Sequence, residues 1–417
     1  MMTPRRLASE HEDRGRLCGR ALVAVLGTLL IALCSPAAVA QPTDGPPLPD
    51  NALQGRSLFE GKHCNLCHGI GNTGPGIGPS LGEGRFSGSF LELGAALWNH
   101  VPGMGVTIDV SGLAWPELSE KETIELVAFL YFIDYLGRPG VAAVGQSVFA
   151  GECGACHSVG GGEAAVGPDL ADLRRFASPL FVAQEIWNHG PSMFESMREM
   201  SVSPPVFEEG DLADLSAFIR QRAEPGPQER MLLAPGNPNR GRELFAGKGC
   251  STCHGEDARG GQGGPNLAES DLHRSAEAIA GTMWNHALAM SETMQERGVG
   301  RPELANSDLA DLVAFLYFLP FSDPLGDPAQ GAEVFRDRSC AQCHPVEEQG
   351  DGPVANQGPA LAGGIATTSP AALVAKMWNH APIMRDAILG EGHPWPELTG
   401  EELRNLHAYF ASLPGKP

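Results

Sequence analysis

Apolar positions recur along this chain in four similar patterns that lie about 90 residues apart. Each pattern opens on a short segment of helical periodicity that begins with glycine and ends on an apolar pair, at residues 55–59, 145–149, 241–245 and 331–335. Each closes on a second segment, such as residues 118–130, in which Ser119 and Glu122 are spaced for a capping box. The periodicity predicts a helix at each end of every unit, with the apolar faces buried.

The closing segments share an aromatic residue that directly follows an alanine. These pairs are Ala128-Phe129, Ala217-Phe218, Ala314-Phe315 and Ala408-Tyr409. A small residue beside a large one allows the first and last helices of a unit to cross closely, so we interpret both as core. In the first and third units the apolar run continues through residues 129–132 and 315–318. Either contact with the next unit or ordinary burial explains this extension.

Shortly after each opening segment stands the same five-residue motif, Cys-x-x-Cys-His. Its copies are Cys64/Cys67/His68, Cys153/Cys156/His157, Cys250/Cys253/His254 and Cys340/Cys343/His344. From the composition, a given cysteine is followed by Cys at +3 and His at +4 with a probability of roughly 0.0007, so four copies are not accidental. The motif predicts four covalently bound haem c groups, because two thioethers hold the porphyrin and the adjacent histidine becomes the proximal iron ligand.

Three other uses of paired cysteines compete with this interpretation: a disulfide framework, a zinc half-site and a redox dithiol. Zinc would need further Cys or His partners at matching spacing. Neither a disulfide nor a dithiol explains why histidine follows the second cysteine four times. The two remaining cysteines, Cys18 and Cys34, lie in a segment that we expect to be removed.

A Gly-Pro-x-Leu segment follows each motif, at residues 78–81, 167–170, 264–267 and 358–361. Its proline stands 11, 11, 11 and 15 residues after the motif histidine. Proline has no N–H and fixes the loop, so this segment is suited to present a carbonyl to the second nitrogen of the histidine ring. Such a bond would orient the ring and tune the iron. Gly-Pro by itself marks only a turn, but its regular distance from the motif favours this role.

Farther along, each unit contains the string Trp-Asn-His-x-x-x-Met. Its residues are Trp98, Asn99, His100 and Met104; Trp187, Asn188, His189 and Met193; Trp284, Asn285, His286 and Met290; and Trp378, Asn379, His380 and Met384. The first cysteine and the methionine are 40, 40, 40 and 44 residues apart. This regular offset predicts methionine as the sixth iron ligand.

The histidine of the string lies four residues before the methionine, so both would share one helix face. A bis-histidine haem is therefore the alternative to methionine ligation. The tryptophan N–H, the asparagine amide and the histidine imidazole are donors suited to the haem propionates, which are charged groups that need partners when buried. We expect the tryptophan and asparagine to bind the cofactor in this way, with the histidine supporting the haem edge.

Residues 1–40 have the features of a secretory signal. Five arginines precede an apolar run at residues 21–33, and Ala38-Val39-Ala40 forms a small-x-small cleavage site before Gln41. The run is short for a membrane span, which disfavours an uncleaved anchor, and Leu33 before Cys34 disfavours a lipoprotein. No later segment is apolar enough to span a membrane. We expect cleavage after Ala40 and a periplasmic protein without a membrane span in its mature chain.

The net charge at pH 7 is −21, and removal of a signal with net charge +2 leaves −23. Acidity of this size argues against nucleic acid or anionic lipid as partners. It favours redox proteins with basic docking patches, such as a dehydrogenase or a terminal oxidase, although acidity also serves solubility.

In the order of these features the chain resembles the class I cytochromes c, as four tandem copies over nearly all of residues 51–417. The resemblance implies an all-α fold of four small helical domains with one covalent haem each. It implies proximal His68, His157, His254 and His344, and distal Met104, Met193, Met290 and Met384. The predicted domains are residues 51–137, 141–224, 237–321 and 327–417, which we number repeats 1 to 4. The histidine inside the Trp-Asn-His-x-x-x-Met string departs from the family pattern.

The repeats differ after the methionine. Repeats 1 and 4 contain Trp-Pro-Glu-Leu from Trp115 and Trp395, whereas repeat 3 begins this segment with Arg301 and repeat 2 reads Pro204-Pro205-Val206-Phe207. The longest Pro-rich link, residues 223–238, predicts a division into two dihaem halves.

With both faces of each iron filled, the leading hypothesis is a tetrahaem protein that transfers single electrons between redox partners. The alternatives are a haem enzyme, such as a peroxidase or a sulfur-compound dehydrogenase with one displaceable methionine, and a dedicated cytochrome subunit of a dehydrogenase or oxidase. We expect no enzymatic activity, because no repeat departs at the distal position and no separate nucleophile or general base stands out.

Overall fold

The computed structural model describes most of the chain after the first 47 residues. The described residues are 48–49, 51–70, 74–81, 88–133, 135, 137–161, 166–172, 178–222, 236–261, 263–269, 275–305, 307–346, 358–361 and 369–413. The predicted signal at residues 1–40 and most of the Pro-rich link lie outside them. Asp44–Pro417 forms one compact unit.

Helices make up the regular structure of these residues, which contain no β-strand. Repeat 1 contains α1 (Gln54–Gly61), α2 (Phe90–Ser111) and α3 (Glu120–Phe132). Repeat 2 contains α4 (Ala142–Val148), α5 (Pro179–Met200) and α6 (Asp211–Arg222). Repeat 3 contains α7 (Pro238–Gly247), α8 (Ser251–His254), α9 (Ala276–Asn285), α10 (Ala287–Glu296) and α11 (Asp308–Tyr317). Repeat 4 contains α12 (Pro328–Asp337), α13 (Pro370–Gly390) and α14 (Gly400–Ser412). The predicted all-α class is confirmed.

Each repeat packs its first helix across its last, as the apolar periodicity predicts. The capping box of Ser119 and Glu122 is present at the start of α3. The small residue at the crossing is the glycine of the first helix: a Cβ on Gly55 would lie 2.0 Å from the Glu125 carbonyl oxygen, and one on Gly241 would lie 2.0 Å from that of Asp311. Because only glycine permits this approach, the glycine that opens each pattern positions the two helices.

The repeats pair in a nested order, the first with the fourth and the second with the third. Helix α2 packs against α13 and α14, while α5 packs against α9 and α10. The predicted division at the Pro-rich link, with repeats 1 and 2 in one half and repeats 3 and 4 in the other, is therefore wrong. Reciprocal hydrogen bonds hold each pair of repeats together.

In the pair of repeats 1 and 4, the tryptophan and asparagine of one repeat bind the backbone of the other. The Trp98 indole Nε1 donates to the Pro396 carbonyl at 2.7 Å. Asn99 donates from Nδ2 to the Leu398 carbonyl at 2.8 Å, and the Leu398 N–H donates back to Asn99 Oδ1 at 2.9 Å. The Trp395 ring, just before Pro396, lies 4.2 Å from the Trp98 ring, centroid to centroid. We call this set of contacts a clasp.

The same pair contains a second clasp in the opposite direction. Trp378 Nε1 donates to the Pro116 carbonyl at 2.7 Å. Asn379 exchanges two hydrogen bonds of 2.8 Å with the backbone of Leu118. The Trp115 and Trp378 rings lie 4.6 Å apart. The reciprocity shows that the two repeats meet through equivalent surfaces.

Repeats 2 and 3 form the same reciprocal clasps. In one direction, Trp187 Nε1 donates to the Pro302 carbonyl at 3.0 Å, and Asn188 Nδ2 donates to that of Leu304 at 2.7 Å. In the other direction, the donors Trp284 Nε1 and Asn285 Nδ2 lie 2.9 and 2.8 Å from the carbonyls of Pro205 and Phe207. The Pro-x-Leu or Pro-x-Phe backbone thus serves as acceptor in all four repeats.

An aromatic cluster joins repeat 1 to repeat 3, and therefore joins the two pairs. The Tyr131 hydroxyl donates to the Tyr317 carbonyl at 3.3 Å, and the Tyr317 hydroxyl donates to the Tyr131 carbonyl at 2.7 Å. The Phe90 and Phe321 rings pack edge to face at 5.5 Å. The aromatic extensions of α3 and α11 thus lie in the contact between repeats 1 and 3.

Replacement of Asn188 by alanine tests the clasp. The change removes the acceptor of the Leu304 N–H and the donor to the Leu304 carbonyl. Two half-buried backbone groups lose their partners, so we expect a loss of about 1–3 kcal/mol of stability. Chemical denaturation of the holoprotein, followed by far-UV circular dichroism, measures this. Gln295→Ala on the exposed end of α10 is the control, and equal midpoints for the two variants would contradict the role of the clasp.

Candidate haem sites

The four Cys-x-x-Cys-His motifs lie in short helical turns that bring each histidine back toward its cysteines. In repeat 1 the His68 N–H donates to the Cys64 carbonyl at 2.9 Å, and the same bond closes the other three motifs. This backbone hydrogen bond therefore places the histidine close to the two cysteines of its motif. This local geometry follows from the spacing of the motif.

The predicted contact between histidine and proline carbonyl is present in every repeat. The imidazole Nδ1 atoms of His68, His157, His254 and His344 lie 3.0, 3.0, 3.3 and 3.1 Å from the carbonyl oxygens of Pro79, Pro168, Pro265 and Pro359. An N–H on Nδ1 donates to this carbonyl, which leaves the lone pair of Nε2 for a metal. The proline loop thus selects the tautomer that an axial ligand requires.

The glycine before each of these prolines lies against the histidine ring. A Cβ on Gly78 would lie 2.7 Å from Cε1 of His68, and one on Gly358 would lie 2.4 Å from Cε1 of His344. The sequence analysis assigned a role only to the proline. The constant Gly-Pro pairing was the signal that could have identified the glycine, since only a residue without a side chain allows the loop so close to the ring.

The eight motif cysteines, all within the described residues, form no disulfide with one another. Burial raises the pKa of the first cysteine in each motif, to about 11 for Cys64, Cys250 and Cys340 and to about 12 for Cys153. Reactive dithiols have a lowered thiol pKa, because the thiolate is the nucleophile. The microenvironment therefore disfavours the redox-dithiol alternative.

Repeat 4 encloses a cavity of about 700 Å³ whose lining contains the predicted ligand set. His344 and the Gly358-Pro359 loop contribute to its wall, as do His380 and Met384. Cys340, Cys343, Leu373 and Phe410 also line it. The size lies within the range of small-molecule and cofactor sites. Two thiols, a correctly oriented imidazole and an apolar wall fit a haem c, with His344 and Met384 as its candidate axial ligands.

Of the second motif cysteines, Cys343 lines the cavity described above. The corresponding cysteines of repeats 1 to 3 are Cys67, Cys156 and Cys253. These three half-buried thiols lie outside that cavity, because they belong to other repeats. The thioether bonds of all eight motif cysteines to haem stay a prediction.

The second cysteine of each motif also has a backbone role that the sequence analysis missed. The carbonyls of Cys67, Cys156, Cys253 and Cys343 accept hydrogen bonds of 2.8, 2.8, 2.9 and 2.6 Å from the N–H of the glycine before the proline. This bond holds the proline loop against the motif. The hydrogen bond uses only the backbone carbonyl of the cysteine. The residue type at this position therefore could not predict the bond.

The two distal candidates differ in their surroundings. The four distal methionines, Met104, Met193, Met290 and Met384, are partly buried against the hydrophobic core. By contrast, His100, His189 and His286 are exposed. Nδ1 of His100 lies 2.6 Å from the Ala96 carbonyl one turn earlier in its own helix. These surroundings favour methionine, and the ligand assignment stays a prediction.

The predicted role of the tryptophans and asparagines as propionate donors is corrected by the clasps. All four indole N–H groups and all four asparagine amides donate to backbone carbonyls of the paired repeat. A buried N–H needs an acceptor, and the backbone at Pro-x-Leu supplies it. The clasp still reaches the cofactor region, because Trp98 of repeat 1 and Asn379 line the cavity of repeat 4.

Arg301 takes the place of a tryptophan in the clasp between repeats 2 and 3. Its guanidinium carbon lies 3.8 Å from the Trp187 ring centroid, and Nη2 donates to the Trp187 carbonyl at 3.0 Å. Nη1 donates to the Ser291 hydroxyl. Burial lowers the pKa of Arg301 to about 10, so the group remains a cation at neutral pH.

Helical repeats that set a Cys-x-x-Cys-His turn against a proline carbonyl define a c-type haem protein. Comparison with known families agrees: the Cytochrome c family model matches residues 142–223, 238–319 and 328–414, more than half of the chain. The chain therefore belongs to the cytochrome c family, with several domains and covalently bound c-type haem. Residues 51–137 are not among the matched ranges.

A curated relative is the Cbb3-type cytochrome c oxidase subunit FixP of Azorhizobium caulinodans, which is 28% identical over 133 residues. The alignment covers 30% of this chain and 43% of the relative, so the chain matches less than half of the relative's length. No solved structure matches the chain. In the described part of the chain, no helix has both the length and the apolar character needed to cross a membrane.

Gly358→Ala tests the close approach of the proline loop to His344. The added methyl group would displace the imidazole, so we expect loss of about one haem per chain or loss of its axial ligation. Mass spectrometry of the peptide that contains Cys340 and Cys343 measures attachment. Gly390→Ala is the matched control, because nothing lies within 4 Å of its Cβ position. A fully loaded peptide and an unchanged spectrum in Gly358→Ala would contradict the prediction.

Proposed function

We propose that this protein is an exported, periplasmic tetrahaem c-type cytochrome that passes single electrons between redox partners. The observation that supports it most is the fourfold recurrence of one arrangement: two thiols, an imidazole held by a proline carbonyl, and a methionine at a regular offset. Repeat 1 has the same histidine contact as the three repeats that match the family, His68 to Pro79 at 3.0 Å. We therefore include it as the fourth haem domain.

A bound haem c supplies a one-electron iron couple. The protein residues would position and enclose it: the motif cysteines would anchor it, the motif histidine, held by the proline carbonyl, would ligate its iron, and the methionine would be the second protein ligand. Methionine–histidine ligation favours a relatively high reduction potential. Two protein ligands for each haem, as the sequence predicts, would leave no coordination site for a small substrate, which supports electron transfer over catalysis.

The nested pairing supports a route for electrons within each pair. Trp98 lies on the same helix of repeat 1 as the candidate ligand Met104, and it lines the cavity of repeat 4. The aromatic cluster of Tyr131 and Tyr317 then connects the two pairs. We propose that electrons exchange within the pairs 1–4 and 2–3, and pass between pairs through the contact of repeats 1 and 3.

A second candidate is a dedicated cytochrome subunit of a terminal oxidase. Similarity to a subunit of a cbb3-type oxidase favours it. Both candidates require the same haem domains, and they differ in whether the protein works as a free carrier. Purification from native extracts distinguishes them, because a dedicated subunit would co-elute with oxidase activity.

Haem counting and rapid kinetics test the electron-transfer proposal. We expect four covalent haems per chain by pyridine haemochrome and mass spectrometry. Reduction by a basic redox protein should slow as salt rises, because attraction to a chain of net charge about −23 is screened over roughly 8 Å at physiological ionic strength. Three or fewer haems in mature protein would contradict the count. Sustained turnover of peroxide or thiosulfate would favour an enzyme instead.

Paired substitutions in α2 test the distal ligand. Met104 is the only methionine within residues 51–137, so Met104→Ala should remove the methionine–iron near-infrared band of one haem, about a quarter of the total, and lower its potential. His100→Ala in the same helix should leave the band intact and serves as the control. If His100→Ala removes the sixth ligand instead, the first haem has bis-histidine ligation.

A further inference from the structure

We propose that Arg301 sets the reduction potentials of the haem pair in repeats 2 and 3, raising them above the values that a neutral residue at this position would give. The proposal rests on the proposed function, since it requires haem in both repeats. With this charge in place, the haems of repeats 2 and 3 would accept electrons more readily than they would without it.

The guanidinium lies between the two helices that contain the distal methionines of this pair. On the side of repeat 3, Nη1 binds the hydroxyl of Ser291, the residue after Met290. On the side of repeat 2, the guanidinium carbon lies 6.0 Å from the ring of Phe194, the residue after Met193. One cation therefore contacts the residue that follows each of the two candidate distal methionines.

Structurally, Arg301 does what a tryptophan does in the other pair. Trp395 stacks on Trp98 at 4.2 Å and donates from Nε1 to the Trp98 carbonyl at 3.1 Å. Arg301 stacks on Trp187 at 3.8 Å and donates to the Trp187 carbonyl at 3.0 Å. The contact with the stacked tryptophan is therefore alike in the two pairs, and Arg301 adds its charge and the hydrogen bonds of Nη1 to Ser291 and Ala287.

This charge has no counter-ion among the described residues. The partners of Arg301 are neutral, namely the carbonyls of Trp187 and Ala287, the Ser291 hydroxyl and the aromatic rings. Its Nε is buried without a hydrogen-bond partner. The pair 1–4 also contains an arginine at its interface, Arg385, but that group binds the carboxylates of Asp109 and Asp386 at 2.8 Å each. Arg301 thus differs from Arg385 in being a half-buried cation without a carboxylate partner.

Electrostatics gives the direction of the effect. Reduction adds one electron to a haem, so a nearby fixed positive charge stabilises the reduced form and raises the potential. The interaction is strong where water is excluded, because the effective dielectric constant there is far below that of bulk water. Net charge near the cofactor is a recognised determinant of haem potential.

Spectroelectrochemical titration of the loaded protein tests the proposal. In Arg301→Trp, two of the four midpoint potentials should fall by about 59 mV, a tenfold change in the equilibrium constant of a one-electron couple, and two should stay. In Trp395→Arg, two should rise. The double variant should show both shifts, because the substitutions act on different pairs.

Further variants separate charge from structure. Arg301→Lys keeps the cation, so its potentials should remain near those of the wild-type protein even if its stability falls. Arg198→Gln removes an exposed cation on α5 and should shift nothing. Unchanged potentials in Arg301→Trp, or shifts of equal size in Arg301→Lys, would overturn the proposal. A wild-type protein without haem on the Cys153 or Cys250 peptide would contradict the proposed function as well, and peptide mass spectrometry identifies that case.

Discussion

The clasp between repeats is the interaction on which the rest of the structure depends. It buries the tryptophan of each repeat, and an indole N–H is costly to bury without a partner. The acceptors lie in another repeat, on the backbone at Pro-x-Leu or Pro-x-Phe. No repeat therefore satisfies its own donors, and each requires its counterpart. A chain of four small domains becomes a structure of two reciprocal pairs.

The nested pairing determines how the four candidate haem sites are related in space. Repeats 1 and 4 are separated in sequence by repeats 2 and 3, whereas repeats 2 and 3 are adjacent in sequence. The reciprocal hydrogen bonds of Tyr131 and Tyr317 then join the pairs through repeats 1 and 3. Electron exchange is therefore expected to follow clasps and aromatic contacts, with Arg301 distinguishing the inner pair from the outer one.

Local features were predictable because they depend on residues close in sequence. The capping box at Ser119, the helices at both ends of each repeat and the carbonyl of Pro79 beside His68 follow from short spacings. The roles of Trp98 and Asn99 did not follow, because their acceptors lie about 300 residues away. A donor pattern in the sequence shows that partners are needed but leaves open whether they are propionates or backbone.

The sequence by itself determined the class of protein and the contact of each motif histidine with its proline carbonyl, because a Cys-x-x-Cys-His turn and a proline at a regular distance form the same local geometry in every repeat. Only the tertiary structure decided which repeats pair. All four repeats contain equivalent donors and acceptors, so the hydrogen-bond pattern is compatible with several pairings. The choice among them rests on side chains that differ between repeats, such as Trp395 against Trp98 and Arg301 against Trp187, and their contacts exist only in the folded chain.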